Sequence, residues 1–170
     1  MSTYVKTLTQ DFTLPKTYLS ASVFVLLNLI VPQLMHQFSM AGTIFLPILF
    51  FTFLAAVRYG TSVGLLTAVA SPLVSHLLTG MPPGIVLYIV MAQCMVIAFL
   101  AGYFAKGKNQ IKAIQILAVI LAYQLVGCLL EFVLAGDILN IWSGFKTTIP
   151  GMLIQLGFFT IYGKYIFRTK

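Results

Sequence analysis

Glu131 is the only acidic residue inside any apolar run of this 170-residue chain. A carboxylate there costs about 2.5–3.5 kcal/mol on insertion scales, less near an interface, so it must face protein or water. Gln124 lies seven residues earlier on the same helical face, with Gly127 and Cys128 between them. Asn28, Gln33, Ser71, Ser75, His76, Gln93 and Gln155 sit at comparable depth in the other runs, toward one common side. Amides, hydroxyls and one carboxylate suit reversible capture of a small polar solute. Two readings stay open: a water-accessible cup that binds a ligand, or interhelical hydrogen bonds worth about 0.6 kcal/mol each.

Bond-breaking chemistry finds no constellation. There is no paired acidic motif, no His-Glu-Xaa-Xaa-His helix and no Gly-Xaa-Ser-Xaa-Gly elbow, so the chain is not read as an enzyme. No Gly-rich phosphate loop ends in Lys-Ser or Lys-Thr, so the chain is not expected to hydrolyse ATP itself, and if it served active transport the energy would come from a partner. Cys94 and Cys128 fall inside apolar runs and suggest neither a disulfide nor a zinc site. No metal site or cofactor is expected.

The elements that position these groups follow from composition. The chain is 60% hydrophobic and 8% charged, against about 25% charge in soluble domains. Lipid must therefore solvate much of its exterior. Six apolar runs are read at about 18–35, 41–57, 60–79, 84–105, 111–136 and 147–167. Lipid offers no partner for unpaired backbone groups, so the expected fold is an all-α integral membrane protein, a bundle of six transmembrane helices. Residues 1–17 form an N-terminal segment, 18–167 the membrane domain and 168–170 a tail. No cleavable signal peptide is read, because the first 18 residues are polar.

Nine of the ten Lys and Arg residues lie on one side of this pattern: Lys6, Lys16, Arg58, Lys106, Lys108, Lys112, Lys164, Arg168 and Lys170. Only Lys146 lies on the other. Basic loops stay inside during insertion, so both termini are predicted to be cytoplasmic. The net charge of +7 is thus topological, and no basic face remains for nucleic acid.

The outward connections carry the remaining polar chemistry. Segment 32–42 holds Gln33, His36, Gln37 and Ser39, and 80–84 is a Pro-Pro turn. Segment 136–148, read as a loop, holds Asp137, Asn140, Trp142, Ser143 and Lys146. His36 is either a solvated side chain or a ligand contact, and His76 either a contact or a local hydrogen-bonding group. Trp142 is either an interfacial anchor or a lid that stacks on a planar ligand. Lys146 and Asp137 could flank a solute or pair with each other. In the third run Gly60, Gly64, Ala68, Ser71 and Ser75 fall within about 80° of one another. Such a seam serves internal packing or docking of a partner subunit.

Two stretches carry a family resemblance. One reads Ser71-Pro72-Leu73-Val74-Ser75-His76-Leu77-Leu78-Thr79-Gly80-Met81-Pro82-Pro83; the other is Met40-Ala41-Gly42-Thr43-Ile44-Phe45-Leu46-Pro47-Ile48. In a six-span chain of this size they resemble the substrate-binding (S) components of energy-coupling factor (ECF) transporters. The topological likeness covers about 18–167 and the sharp likeness roughly 40–84. The resemblance implies a multi-pass protein of a prokaryotic cell membrane that binds a vitamin or related micronutrient from outside. A transmembrane coupling subunit and two ATPases would drive its release inward. It implies a site in the outer loops and helix ends, here Asn28, Gln33, His36, Ser75, His76, Gln93, Gln124, Glu131, Asn140 and Trp142. Docking to the coupling subunit would fall on Ser20, Ala21, Gly60, Gly64 and Ala68, although the Ala pair of many members is missing after Ser20-Ala21-Ser22. The metal-ion branch is unlike this chain, which opens Met1-Ser2-Thr3-Tyr4 and lacks its Met-His-Xaa-His start. Rival readings are a solitary membrane facilitator and a structural subunit of a membrane complex.

Overall fold

The computed structural model of the chain describes residues 11–36, 46–106, 111–135 and 138–167. Among them it holds six helices: α1 (Pro15–His36), α2 (Pro47–Tyr59), α3 (Thr61–Thr79), α4 (Gly84–Ala105), α5 (Ala113–Ala135) and α6 (Ile138–Phe167). The order and period of the apolar runs dictate this, and prolines mark several starts. Pro15 and Pro47 open α1 and α2, where a missing N–H costs nothing. Between α2 and α3 the chain reverses at Gly60, whose φ of 92° a side chain would strain and whose N–H bonds the Ala56 carbonyl at 3.0 Å. Gly80, at φ 73°, ends α3 in the left-handed conformation, its N–H on the His76 carbonyl.

The polarity of the molecule is inverted relative to a water-soluble domain. Leu77, Val133 and Leu19 are 79%, 74% and 70% exposed, whereas Asn28 and Gln155 are fully buried. Water would penalise that exterior, and hydrocarbon would not. Four helices are long and apolar enough to cross a bilayer: Pro15–Leu34, Thr61–Thr79, Gly84–Ala105 and Ala113–Leu134. The chain is compatible with a multi-pass membrane protein.

Small residues set the packing of α2, α3 and α4. A Cβ on Gly64 would lie 2.8 Å from the Ala56 Cβ and 3.1 Å from the Ala98 Cβ, so three backbones converge there. Ala56, Ala68, Ala98 and Ala101 are fully buried in the same core cluster, while Ala55 and Val63 are sealed on the side that faces α1. α1 lies on α2 and α3 through Ala21 and Phe24, with Phe24 edge-on to Tyr59 at 5.8 Å. α5 joins from the α4 side, and α6 packs on α5 and meets α2 through stacked Phe53 and Phe159, 4.2 Å apart. Successive helices run antiparallel, which brings Lys16, Arg58, Lys106 and Lys112 to one end of the bundle, here called the basic end.

This packing shows what the small-residue seam does within the chain. Gly60, Gly64 and Ala68 are buried among α2, α3 and α4, and Ala21 of α1, 5% exposed, packs against α2 and α3. They close the bundle itself rather than offering a surface, and only Ser20 of the docking set is partly exposed. The seam is an internal one because the contacts that small residues permit are already made within the chain.

A second difference concerns the start of α6. Segment 136–148 was expected as a loop, yet the chain is helical from Ile138. No Gly or Pro interrupts 138–143, and the Ser143 and Phe145 carbonyls accept the hydroxyls of Thr147 and Thr148 at 3.0 and 2.9 Å. Hydropathy falls there because the segment leaves the apolar zone, but backbone hydrogen bonding does not stop with it.

Candidate functional site

Polar side chains form a belt across the interior of this apolar bundle. In α1, Asn28 donates through Nδ2 to the Ser71 Oγ of α3 at 2.8 Å. In α2, Thr52 Oγ1 contacts the Cys94 Sγ of α4 at 3.8 Å while donating to the Ile48 carbonyl. Beside Cys94, Gln93 reaches across to α5, where its amide occupies the space a Cβ on Gly127 would fill. One turn away Tyr123 of α5 donates its phenol to the Gln155 Oε1 of α6 at 3.1 Å. Measured from the Gly64–Ala56–Ala98 contact at 1.5 Å per residue, these groups span about 10 Å of depth. All six helices contribute.

Two atoms in the belt lack partners. Asn28 Oδ1 and Gln155 Nε2 are buried and accept or donate no hydrogen bond among the described residues. An unmet polar atom in such a setting costs about 1–3 kcal/mol. One is an acceptor and the other a donor, so a water molecule or a solute bearing both functions would satisfy either.

Two open grooves border the belt. The first, about 370 Å³, runs between α5 and the start of α6 and is lined by Leu121, Ala122, Gln124, Leu125, Cys128 and Phe145. Gln124, 8% exposed, donates within it to the Cys128 Sγ at 3.7 Å. The second, about 380 Å³, lies between α1 and α3 and takes Gln33 and Thr79 at its rim. Of the candidate residues, Gln124 and Gln33 line the grooves, while Asn28 and Gln93 belong to the belt.

Their individual settings differ. Ser75 is buried, and its carbonyl accepts the Thr79 hydroxyl at 2.8 Å. His76 Nδ1 lies 2.7 Å from the Pro82 carbonyl and so donates to it, latching α3 to the turn that follows. Glu131 is half-buried, one helical turn beyond Cys128 on the α5 face that carries Gln124. Trp142 is 58% exposed on the first turns of α6; its ring is stacked 6.1 Å from Phe145, with Lys146 Nζ 5.0 Å from its centroid. Trp142 and Lys146 therefore ride on a helix, not on a mobile loop. His36 and Asn140 belong to α1 and α6, but their side chains lie outside the described residues. Asp137, Gln37 and Ser39 lie outside them altogether, as does the 40–45 part of the resemblance.

Tyr123, Thr52 and Cys94 belong to the belt but were not singled out from the sequence. Tyrosine and threonine are common in apolar spans, and only the fold shows which face each helix turns inward. Gly127 was the available signal, since a glycine seven residues before the end of a leucine-rich stretch asks what needs its space. Comparison of the chain with protein-family models, curated proteins and solved structures finds no match.

Proposed function

We propose that this chain is the substrate-binding component of an ECF-type ABC transporter, a six-span membrane protein with both termini cytoplasmic. It would capture a small water-soluble vitamin or related micronutrient from outside. A transmembrane coupling subunit and two ATPases would then drive uptake. The observation that carries this reading is the interior belt of amides and hydroxyls drawn from all six helices, with one donor and one acceptor unmet. The resemblance over roughly 40–84 and the one-sided distribution of Lys and Arg support it. Residues of the belt and of the α5 face, Asn28, Gln93, Gln124, Gln155 and Glu131, would contact the solute, and reorientation would follow when the partners act.

The test starts from the purified chain. Native mass spectrometry of protein from rich medium should show a copurifying solute, and Glu131→Ala should weaken its binding about tenfold or more while leaving the melting temperature within about 2 °C. An unchanged dissociation constant removes Glu131 from the site. Uptake into liposomes by the chain alone would favour a solitary facilitator instead.

A second reading has its own observation. Asn28–Ser71 and Tyr123–Gln155 each close a bond between neighbouring helices, as in a purely structural subunit. Alanine at Gln93, Gln124 and Glu131 without functional loss would favour it.

A further inference from the structure

One lipid-facing stripe of α4 orders three kinds of side chain as a phospholipid orders its parts. Phe99 and Tyr103 are 56% and 71% exposed, and Lys106, exposed, ends the helix. The spacing i, i+4, i+7 keeps them on one face, with the Tyr103 Cα about 4.5 Å and the Phe99 Cα about 10 Å along the axis from the Lys106 Cα. Acyl chain, ester region and phosphate follow one another in that sequence along a lipid. On the adjoining α5, exposed Lys112 stands just before Ile114, which is 67% exposed, so the second helix repeats the cation-above-apolar order. Lys112 is held at the helix start by its backbone N–H on the Gln115 Oε1 at 3.1 Å, which leaves the ammonium free to turn outward. Among the described residues no ion pair neutralises Lys106 or Lys112. The same end also carries Lys16 and Arg58, while the opposite end offers Glu131 and Lys146.

We propose that the basic end of the α4–α5 pair is a binding site for an anionic phospholipid, whose phosphate lies between Lys106 and Lys112 and whose chain lies on Phe99 and Tyr103. Tyr103 supplies the interfacial group whose hydroxyl reaches the headgroup and whose ring stays among the chains. Cationic side chains near an anionic membrane surface gain attraction that zwitterionic lipid cannot give. The site does not depend on the transport reading, since it uses none of the belt residues, and it holds whichever side of the membrane the basic end faces.

The full chain is reconstituted in nanodiscs with equal phosphatidylglycerol and phosphatidylcholine, and the lipids retained on release are counted by native mass spectrometry. Phosphatidylglycerol should be retained over phosphatidylcholine by about fivefold for each of the two lysines. Lys106→Gln/Lys112→Gln should bring that ratio close to one, while Lys146→Gln at the opposite end leaves it unchanged. A second measurement needs no variant: raising salt from about 50 to 500 mM should erode the wild-type preference severalfold. Equal retention of the two lipids, a preference that survives in the double variant, or a preference indifferent to salt would each overturn the proposal. Inorganic phosphate that displaces the lipid at matched concentration would also overturn it, by showing a site for the free anion.

Discussion

The α2–α3–α4 core and the α5–α6 flank are built from opposite materials. In the core cluster beside Gly64 the small side chains are Ala56, Ala68, Ala98 and Ala101, all fully buried, and the helices touch through methyl groups. Between α5 and α6 one Tyr123–Gln155 hydrogen bond crosses the interface, and an open groove of about 370 Å³ runs beside it. Close-packed backbones leave no slack, because dispersion contacts made at this range are lost on a small displacement. An interface of long side chains around a groove tolerates shifts. The core therefore reads as a fixed frame and the flank as the part that can adjust.

Gly64→Leu should break this contrast most severely. Its Cβ alone would meet Ala56 and Ala98 at 2.8 and 3.1 Å, and overpacking costs about 1–3 kcal/mol before the rest of the side chain is placed. Loss of the monodisperse peak in size-exclusion chromatography is the expected readout. Gly144→Leu on the flank, where a Cβ meets nothing within 4 Å, should leave that peak unchanged.

Gly127→Ala tests the joint between frame and flank. The new methyl would displace the Gln93 amide, a flexible end, so a loss of about 1 kcal/mol is expected in thermal melts. Gln93→Ala in the same chain should recover most of it, and additive losses would mean that the two residues do not compete. Weaker still is the asymmetric pair on the flank. Tyr123→Phe leaves a buried amide wholly unpaired and should cost about 1 kcal/mol or more. Gln155→Leu removes that amide along with its unmet Nε2 but strands the buried Tyr123 hydroxyl, so only the double variant Tyr123→Phe/Gln155→Leu should fall nearer to zero. A double variant that loses as much as Tyr123→Phe alone would argue that the Nε2 already has a partner. Smallest of all, Trp142→Ala abolishes an exposed cation–π contact worth about 0.5 kcal/mol, and the melting temperature should barely move.

Helix order was legible in the sequence because long apolar runs need little context. The fourth run, 84–105, coincides with α4, and the first begins three residues inside α1. The start of α6 was misplaced since hydropathy marks where lipid ends, while Ile138 to Trp142 stay helical beyond that point. For the candidate site, depth could be read and neighbours could not. Counting residues placed Asn28, Gln93 and Gln155 at similar heights, but nothing local says that Asn28 meets Ser71 or that Gln155, 32 residues away, meets Tyr123. The small-residue seam was seen with two uses open, internal packing and docking: spacing shows that a helix can approach another closely but not which helix comes.

The Gly60 reversal bears on how the molecule is made. With a single residue between Tyr59 and Thr61, no linker separates α2 from α3, so a membrane that takes up one must take up the other with it. A chain lengthened at that position by a flexible insert would give each helix its own chance to enter, and with it the chance to enter the wrong way round.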